Sequence, residues 1–254
     1  MTIGVGFKCV NGIVLGADTQ ITWPGNHKYY ENKIFARSEG LSDNPWSVAF
    51  TYAGNPNLAK SFHAKFIAAI PHIPRPVTEE KLQQAVEAVL SLFTFDSDQN
   101  VLQMIGGLVA GGEPVLIETS GCVVNPVGQI ASIGVGDSSV LRFLKPLIAD
   151  GVSRVRPAIN AAIALVLQAK RYVDQCGGDT TIVVLRRNRW YENVDASRIN
   201  RVEQTFLRLE NQIQAVATAL FDKTVDDAAF GTIVNKLAEE LKDEHVQAQI
   251  PLDD

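Results

Sequence analysis

Three cysteines and four histidines are all that the 254 residues offer to a disulfide framework or a soft metal. Cys9, Cys122 and Cys176 are odd in number, widely spaced and without a CxxC pair, while His27, His63, His72 and His245 are scattered. Neither a disulfide scaffold nor a zinc site has its spacing here, so the cysteines read as reduced thiols, two of them in strands. Basic charge is also short. Lys and Arg number 23 against 28 Asp and Glu, a net charge of -5, and no basic stripe is available to neutralise phosphates, which disfavours nucleic acid as the main partner. No apolar run approaches the roughly 18 residues needed to cross a bilayer, and the N-terminus lacks the charged start and apolar stretch of a signal peptide. The chain reads as cytoplasmic, without a membrane partner, internal repeat or low-complexity segment.

What the sequence does hold is core material. Apolar residues make up 46% and charged residues 20%, enough for one large α/β domain with a full core. Asn11-Gly12, flanked by alternating apolar runs, predicts a tight hairpin between strands Thr2 to Val10 and Ile13 to Asp18. Further strands are expected over Lys33 to Ala36 and Trp46 to Tyr52. The period then changes: Leu58, Phe62, Phe66 and Ile70, followed by Leu82, Val86, Val89, Leu90 and Phe93, predict two amphipathic helices broken by the prolines at 72–76. Val101 to Ala110, Pro114 to Thr119 and Cys122 to Asn125 return to strand character. Ser138 to Ile148 and Arg154 to Val173 read as helices, Thr180 to Leu185 as a last β-branched strand, and Trp190-Tyr191 as its partner. Strands, two helices, strands, two helices, strands is an α/β (α+β) order that buries every apolar face as a four-layer αββα sandwich, two stacked antiparallel sheets flanked by helices.

From Ala196 the composition shifts. Val202, Phe206, Leu209, Ile213, Val216 and Leu220 form one helical stripe, and Phe230, Ile233, Leu237 and Leu241 a shorter second one. The expected organisation is a domain over 1–195 with a C-terminal helical extension over 196–254, packed on the domain or on a neighbour.

The chemistry is concentrated near the start. If Met1 is removed, Thr2 carries a nucleophilic hydroxyl and a free α-amine that can act as its base on one residue. With Met1 attached that amine is an amide, so activity is expected to depend on loss of the methionine. A threonine hydroxyl also needs a nearby cation to lower the amine's pKa and stabilise charge developing on oxygen. Lys33, in the apolar Asn-Lys-Ile-Phe-Ala segment, can supply it, and a buried lysine there needs an anion, for which Asp18 at the end of the returning strand is the nearest choice. The plain alternatives are a turn carboxylate at Asp18 and a solvated lysine at 33.

The run Thr-Ile-Gly-Val-Gly-Phe-Lys-Cys-Val-Asn-Gly-Ile-Val-Leu-Gly-Ala-Asp-Thr-Gln-Ile-Thr from Thr2 resembles the opening of proteasome β-type subunits, the N-terminal nucleophile (Ntn) threonine peptidases. Lys33 in Asn-Lys-Ile is similar to the family's catalytic lysine, and Ala53-Gly54 after Tyr52 to the Ala-Gly whose glycine amide forms the oxyanion hole. Gly134-Val-Gly136 and Cys176-Gly177-Gly178 are weaker echoes, and a one-residue shift brings Asp174 to the family's second aspartate. The resemblance is dense over the first sixty residues, thin through about residue 187, and absent from the C-terminal helices.

The resemblance implies a four-layer αββα fold and an endopeptidase using Thr2, Asp18, Lys33, Gly54 and Asp174, with no cofactor and no metal. The polypeptide substrate would lie extended beside Gln20, Ile21 and Thr22, its side chain before the scissile bond in a pocket of Ile21, Glu31, Phe35, Tyr52 and Pro56. Tyr52 at the floor would favour small or medium apolar side chains. Partners implied are further copies in a homo-oligomer of stacked rings and an ATP-dependent unfoldase; independently of the resemblance, a head-to-tail contact that fails to close would give an open helical array in place of a ring. Two other functions stay open: a non-catalytic ring subunit, and an Ntn amidohydrolase acting on a small amide.

Overall fold

The computed structural model describes residues 2–22, 27–39, 45–95, 102–135, 152–187 and 190–249, with side chains 244–249 left aside. The helix expected over Ser138 to Ile148 lies outside the described residues. The chain divides into two compact units, Met1–Ala196 and Ser197–Asp254.

The first unit holds two five-stranded sheets. One has the order β10-β1-β2-β11-β12, formed by Ile130–Gly134, Ile3–Cys9, Gly12–Asp18, Thr180–Arg186 and Tyr191–Asn193; the other has the order β5-β6-β7-β8-β9, formed by Ile34–Glu39, Trp46–Gly54, Leu102–Val109, Val115–Ser120 and Val123–Pro126. All their pairings are antiparallel. Between the sheets lies an apolar layer of Ile13, Leu15, Ala17, Ala49, Ala53, Ile105, Leu116, Ile133, Val183 and Leu185. These come from alternate positions of strands whose other faces look outward, the period-two pattern of stacked sheets.

Helices α1 (Pro56–Ala69) and α2 (Glu79–Leu90) cover the outer face of the second sheet. Asn55 caps α1 by accepting from the amides of Asn57 and Leu58, and Thr78 caps α2 through the Lys81 amide. Phe50 of β6 meets Phe62 and Phe66 of α1 edge-on, at ring-centroid separations of 5.3 and 5.1 Å. Helix α3 (Val155–Tyr172) lies on β1, β2 and β11 and buries Ala158, Ile159, Ala162, Ile163 and Val166. Helix, sheet, sheet and helices give the four-layer αββα sandwich.

Three details differ from the expectation. The first hairpin pairs Cys9 with Gly12, so its two-residue loop is Val10-Asn11, one residue earlier than the Asn-Gly signal. Gly12 is needed inside the strand for a different reason: a Cβ there would sit 2.3 Å from the Leu185 carbonyl oxygen of β11. Cys122 stands in the turn before β9 and is exposed, so only Cys9 is in a strand; Cys176 is buried in a loop. Finally, β10 and the small β3–β4 ribbon (Gln20–Thr22 and Lys28–Tyr30) are not among the strands expected from the sequence pattern.

The second unit consists of two helices, the 26-residue Ala196–Phe221 (α4) and the 23-residue Asp227–Gln249 (α5). Gln212 donates to Glu240 at 3.1 Å across them. Along α4 only Ile199 and Ala219 are buried, and the expected stripe stays open at Ile213 (57% exposed) and Leu220 (62%).

Candidate active site

Register builds the site. In the β1–β2 ladder Gly4 faces Ala17, so the strand returning from the hairpin ends with Asp18 beside the residues that precede Gly4. The β3–β4 ribbon then carries the chain out and back, and Lys33 arrives just ahead of β5 in the other sheet. Thr2, Asp18 and Lys33 are 2%, 0% and 1% exposed, so three polar residues meet at the end of an otherwise apolar layer.

Their hydrogen bonds form a closed set. The Lys33 ammonium donates to Thr2 Oγ1, to Asp18 Oδ1 at 2.7 Å and to the Gln20 carbonyl, which uses all three of its protons. The Thr2 hydroxyl donates to Asp18 Oδ1. Asp18 Oδ1 also accepts from the Ile3 amide at 3.1 Å, and Oδ2 from the Gly177 amide at 2.9 Å. Two main-chain donors, an ammonium and a hydroxyl therefore compensate the buried carboxylate, as burial of a charge requires. Desolvation pulls the Lys33 ammonium below the usual lysine range, opposed by the charge of Asp18, its hydrogen bond and the neighbouring Cys176. The hydroxyl thus sits between a cation that stabilises negative charge on its oxygen and an anion that draws its proton away.

Gly54 ends β6 in a left-handed conformation, φ 112°, and is exposed. Its neighbour Ala53 faces the start of β1 through Gly134: a Cβ built on Gly134, itself at φ 90°, would lie 2.1 Å from the Thr2 carbonyl oxygen and 3.3 Å from the Ala53 Cβ. Asp174 is not drawn into the cluster. Its side chain is exposed, and its carbonyl accepts from Gln20 Nε2 at 3.4 Å and Lys28 Nζ at 3.1 Å.

Of the residues expected to hold a substrate, Gln20 and Ile21 are buried and Thr22 half-buried, all in β3, whose ladder partner is β4. Tyr52 is buried and stacks on half-buried Phe35, centroids 5.5 Å apart and planes within 7°. His63 stacks on Phe35 as well, at 5.1 Å. Burial, with a contribution from the nearby Glu31 and Tyr29 charges, pushes the Tyr52 phenol well above its ordinary pKa, and its hydroxyl meets no hydrogen-bond partner among the described residues. Glu31 pairs with Lys60 of α1, and Pro56 is buried in the first turn of α1.

The sequence reading missed the Gln20 carbonyl, the Gly177 amide and the close approach of Gly134, because main-chain groups carry no residue signature. Cys9 is no competing nucleophile, since burial pushes its thiol up to about 12. Among the described residues no group of His, Cys, Asp or Glu could hold a metal ion, and no helix is long and apolar enough to cross a membrane.

The buried threonine, lysine and aspartate stand at one end of a four-layer αββα fold. Solved structures share it. The chain superimposes on Anbu (ancestral beta-subunit) from Yersinia bercovieri with a TM-score of 0.68 at 13% identity, covering 84% of this chain and 96% of that one. A Gly-1 mutant of Anbu from Hyphomicrobium sp. strain MC1 gives 0.67 at 14% identity, covering 85% and 97%. The helical assembly of the Anbu complex from Pseudomonas aeruginosa gives 0.63 at 13% identity, covering 84% and 96%. No protein-family model and no curated protein sequence matches the chain. The chain therefore has the Anbu fold, a four-layer proteasome-like αββα sandwich.

Proposed function

We propose that, after loss of Met1, this chain is a threonine endopeptidase that cleaves unfolded polypeptide through an acyl-enzyme ester on Thr2. The observation that carries the reading is the Thr2 hydroxyl held between the Lys33 ammonium and the Asp18 carboxylate, all three buried. The freed α-amine takes the hydroxyl proton as Oγ1 attacks the scissile carbonyl and later returns it to the leaving amine; the ester is then hydrolysed by water activated by the same amine. Lys33 stabilises the oxygen as it loses its proton. The Gly54 amide is assigned to the oxyanion of the tetrahedral intermediate, and Asp174 acts at one remove, its carbonyl fixing Gln20.

The substrate is read as a strand added to β3 at Gln20, Ile21 and Thr22, where main-chain hydrogen bonds hold any sequence. Ile21, Glu31, Phe35, Tyr52 and Pro56 line the pocket for the side chain before the scissile bond. The stacked Phe35 and Tyr52 rings, with Tyr52 at the floor, would favour small or medium apolar side chains. A peptide epoxyketone tests the reading, because its two reactive carbons need both the hydroxyl and the free amine: it should modify Thr2 and leave Thr2→Ala unmodified.

Confinement follows from the chemistry, since a peptidase of broad specificity is safe only inside a chamber. A cytoplasmic homo-oligomer, ring or open helical array, is proposed on that ground, supported by the helical assembly of the Pseudomonas aeruginosa Anbu complex and by the open Ile213 and Leu220 of α4. An ATP-dependent unfoldase would be the natural supplier of unfolded chains. Light scattering at micromolar concentration should report a mass several times the 27.6 kDa of one chain. A monodisperse monomer would end the assembly proposal.

A further inference from the structure

The two sheets meet largely through apolar side chains, and near the nucleophile, besides the Lys33 ammonium, a side-chain amide bridges them. Gln103 lies on β7 directly opposite Ala53 of β6, and it shares the inward-facing parity of Ile105 and Val109. Its Oε1 accepts a hydrogen bond of 3.0 Å from the amide of Gly134, the last residue of β10 in the other sheet. Among the described strands β10 lies at the sheet edge with β1 as its ladder neighbour, so an amide pointing away from β1 meets no described strand. Gln103 fills that role from across the sandwich.

The consequence reaches Thr2. Gly134 pairs with Ile3, and its Cα approaches the Thr2 carbonyl so closely that a Cβ there would stand 2.1 Å from the oxygen. The same Cβ would be 3.3 Å from Ala53, the residue before Gly54. Gly134 is thus wedged between the backbone that bears the nucleophile and the strand that bears the assigned oxyanion donor.

We infer that Gln103 is a positioning residue: by holding the Gly134 amide it fixes the distance between Thr2 and the β6 end at Ala53-Gly54. It touches neither substrate nor reacting atoms. Its kinetic consequence rests on the threonine peptidase reading, whereas its geometric consequence does not. The expectation follows from the steep dependence of acyl transfer on placement, where a shift on the order of 1 Å can cost about a hundredfold in rate. A leucine at 103 keeps the bulk and loses the acceptor; a glutamate keeps an acceptor oxygen.

The test uses the full chain freed of Met1, as wild type, Gln103→Leu and Gln103→Glu, with two readouts. Hydrolysis of a fluorogenic peptide gives kcat and KM, and hydrogen exchange followed by mass spectrometry gives the protection of the peptide containing Gly134. In Gln103→Leu, kcat should fall roughly tenfold to a hundredfold with KM within about twofold of wild type, and the Gly134 amide should exchange faster. Gln103→Glu should recover a large part of both. Wild-type kcat in Gln103→Leu, a glutamate variant no better than leucine, or unchanged Gly134 protection would each overturn the positioning role. A wild-type chain without turnover would count against the peptidase reading alone, and Gly134 exchange in the leucine variant would still decide for or against the bridge.

Discussion

Lys33→Ala should lower peptide turnover by about a hundredfold to a thousandfold while KM stays within about twofold, the pattern of an interaction that strengthens as charge develops. The reason lies in where the ammonium sits. It is 1% exposed and donates to Thr2 Oγ1, so the field it exerts on the hydroxyl oxygen is little screened by solvent. The substrate's expected contacts on β3 are made elsewhere, which is why binding should survive. Burial also pulls Lys33 below the usual lysine range, so turnover should fall with rising pH at values below those at which an exposed lysine deprotonates. Wild-type kcat in Lys33→Ala would remove lysine from the mechanism.

Asp18→Ala should cost both activity and stability. It removes the charge partner of a buried ammonium and leaves the Ile3 and Gly177 amides without their acceptor, and breaking a buried pair of this kind costs about 3–5 kcal/mol. For a chain of this length that is a melting temperature lower by roughly 6–20 °C. Asp18→Asn, which keeps an acceptor oxygen and loses the charge, should recover part of the stability and little of the turnover. The two variants separate the structural role from the electrostatic one. An alanine variant that melts with the wild type would show the pair to be dispensable to the fold.

How far a sequence can be read is visible in these same residues. Thr2 and Asp18 are bracketed by one hairpin, so strand alternation and a tight turn suffice to bring them to the same end. Lys33 was legible because a lysine in an apolar strand must find an anion. The turn itself was read one residue late, since Gly12 answers to the Leu185 carbonyl of a strand more than 170 residues further on, and a contact of that kind leaves no local signal. Gln103 was invisible for the same reason: a glutamine in a β-branched, glycine-containing strand reads as a solvent-facing residue until the other sheet is stacked on it. Asp174 shows the opposite limit. Its place in the order of motifs suggested a carboxylate at the site, whereas it is the main-chain carbonyl that holds Gln20 and Lys28.

The helices α4 and α5 carry a stripe that periodicity finds easily, but periodicity does not say what covers it. Phe221 at 83% exposure and Leu220 at 62% leave that question to the solution state.

The central claim is that the Thr2 hydroxyl, with its own freed amine, is the nucleophile, and intact-mass measurement after exposure to a peptide epoxyketone tests it most directly. Expected is a single adduct per chain, confined to chains that have lost Met1, mapped to the peptide that begins at Thr2 and absent from Thr2→Ala. An adduct on chains that retain Met1, an adduct mapped to another residue, or no adduct on chains that begin at Thr2 would contradict it.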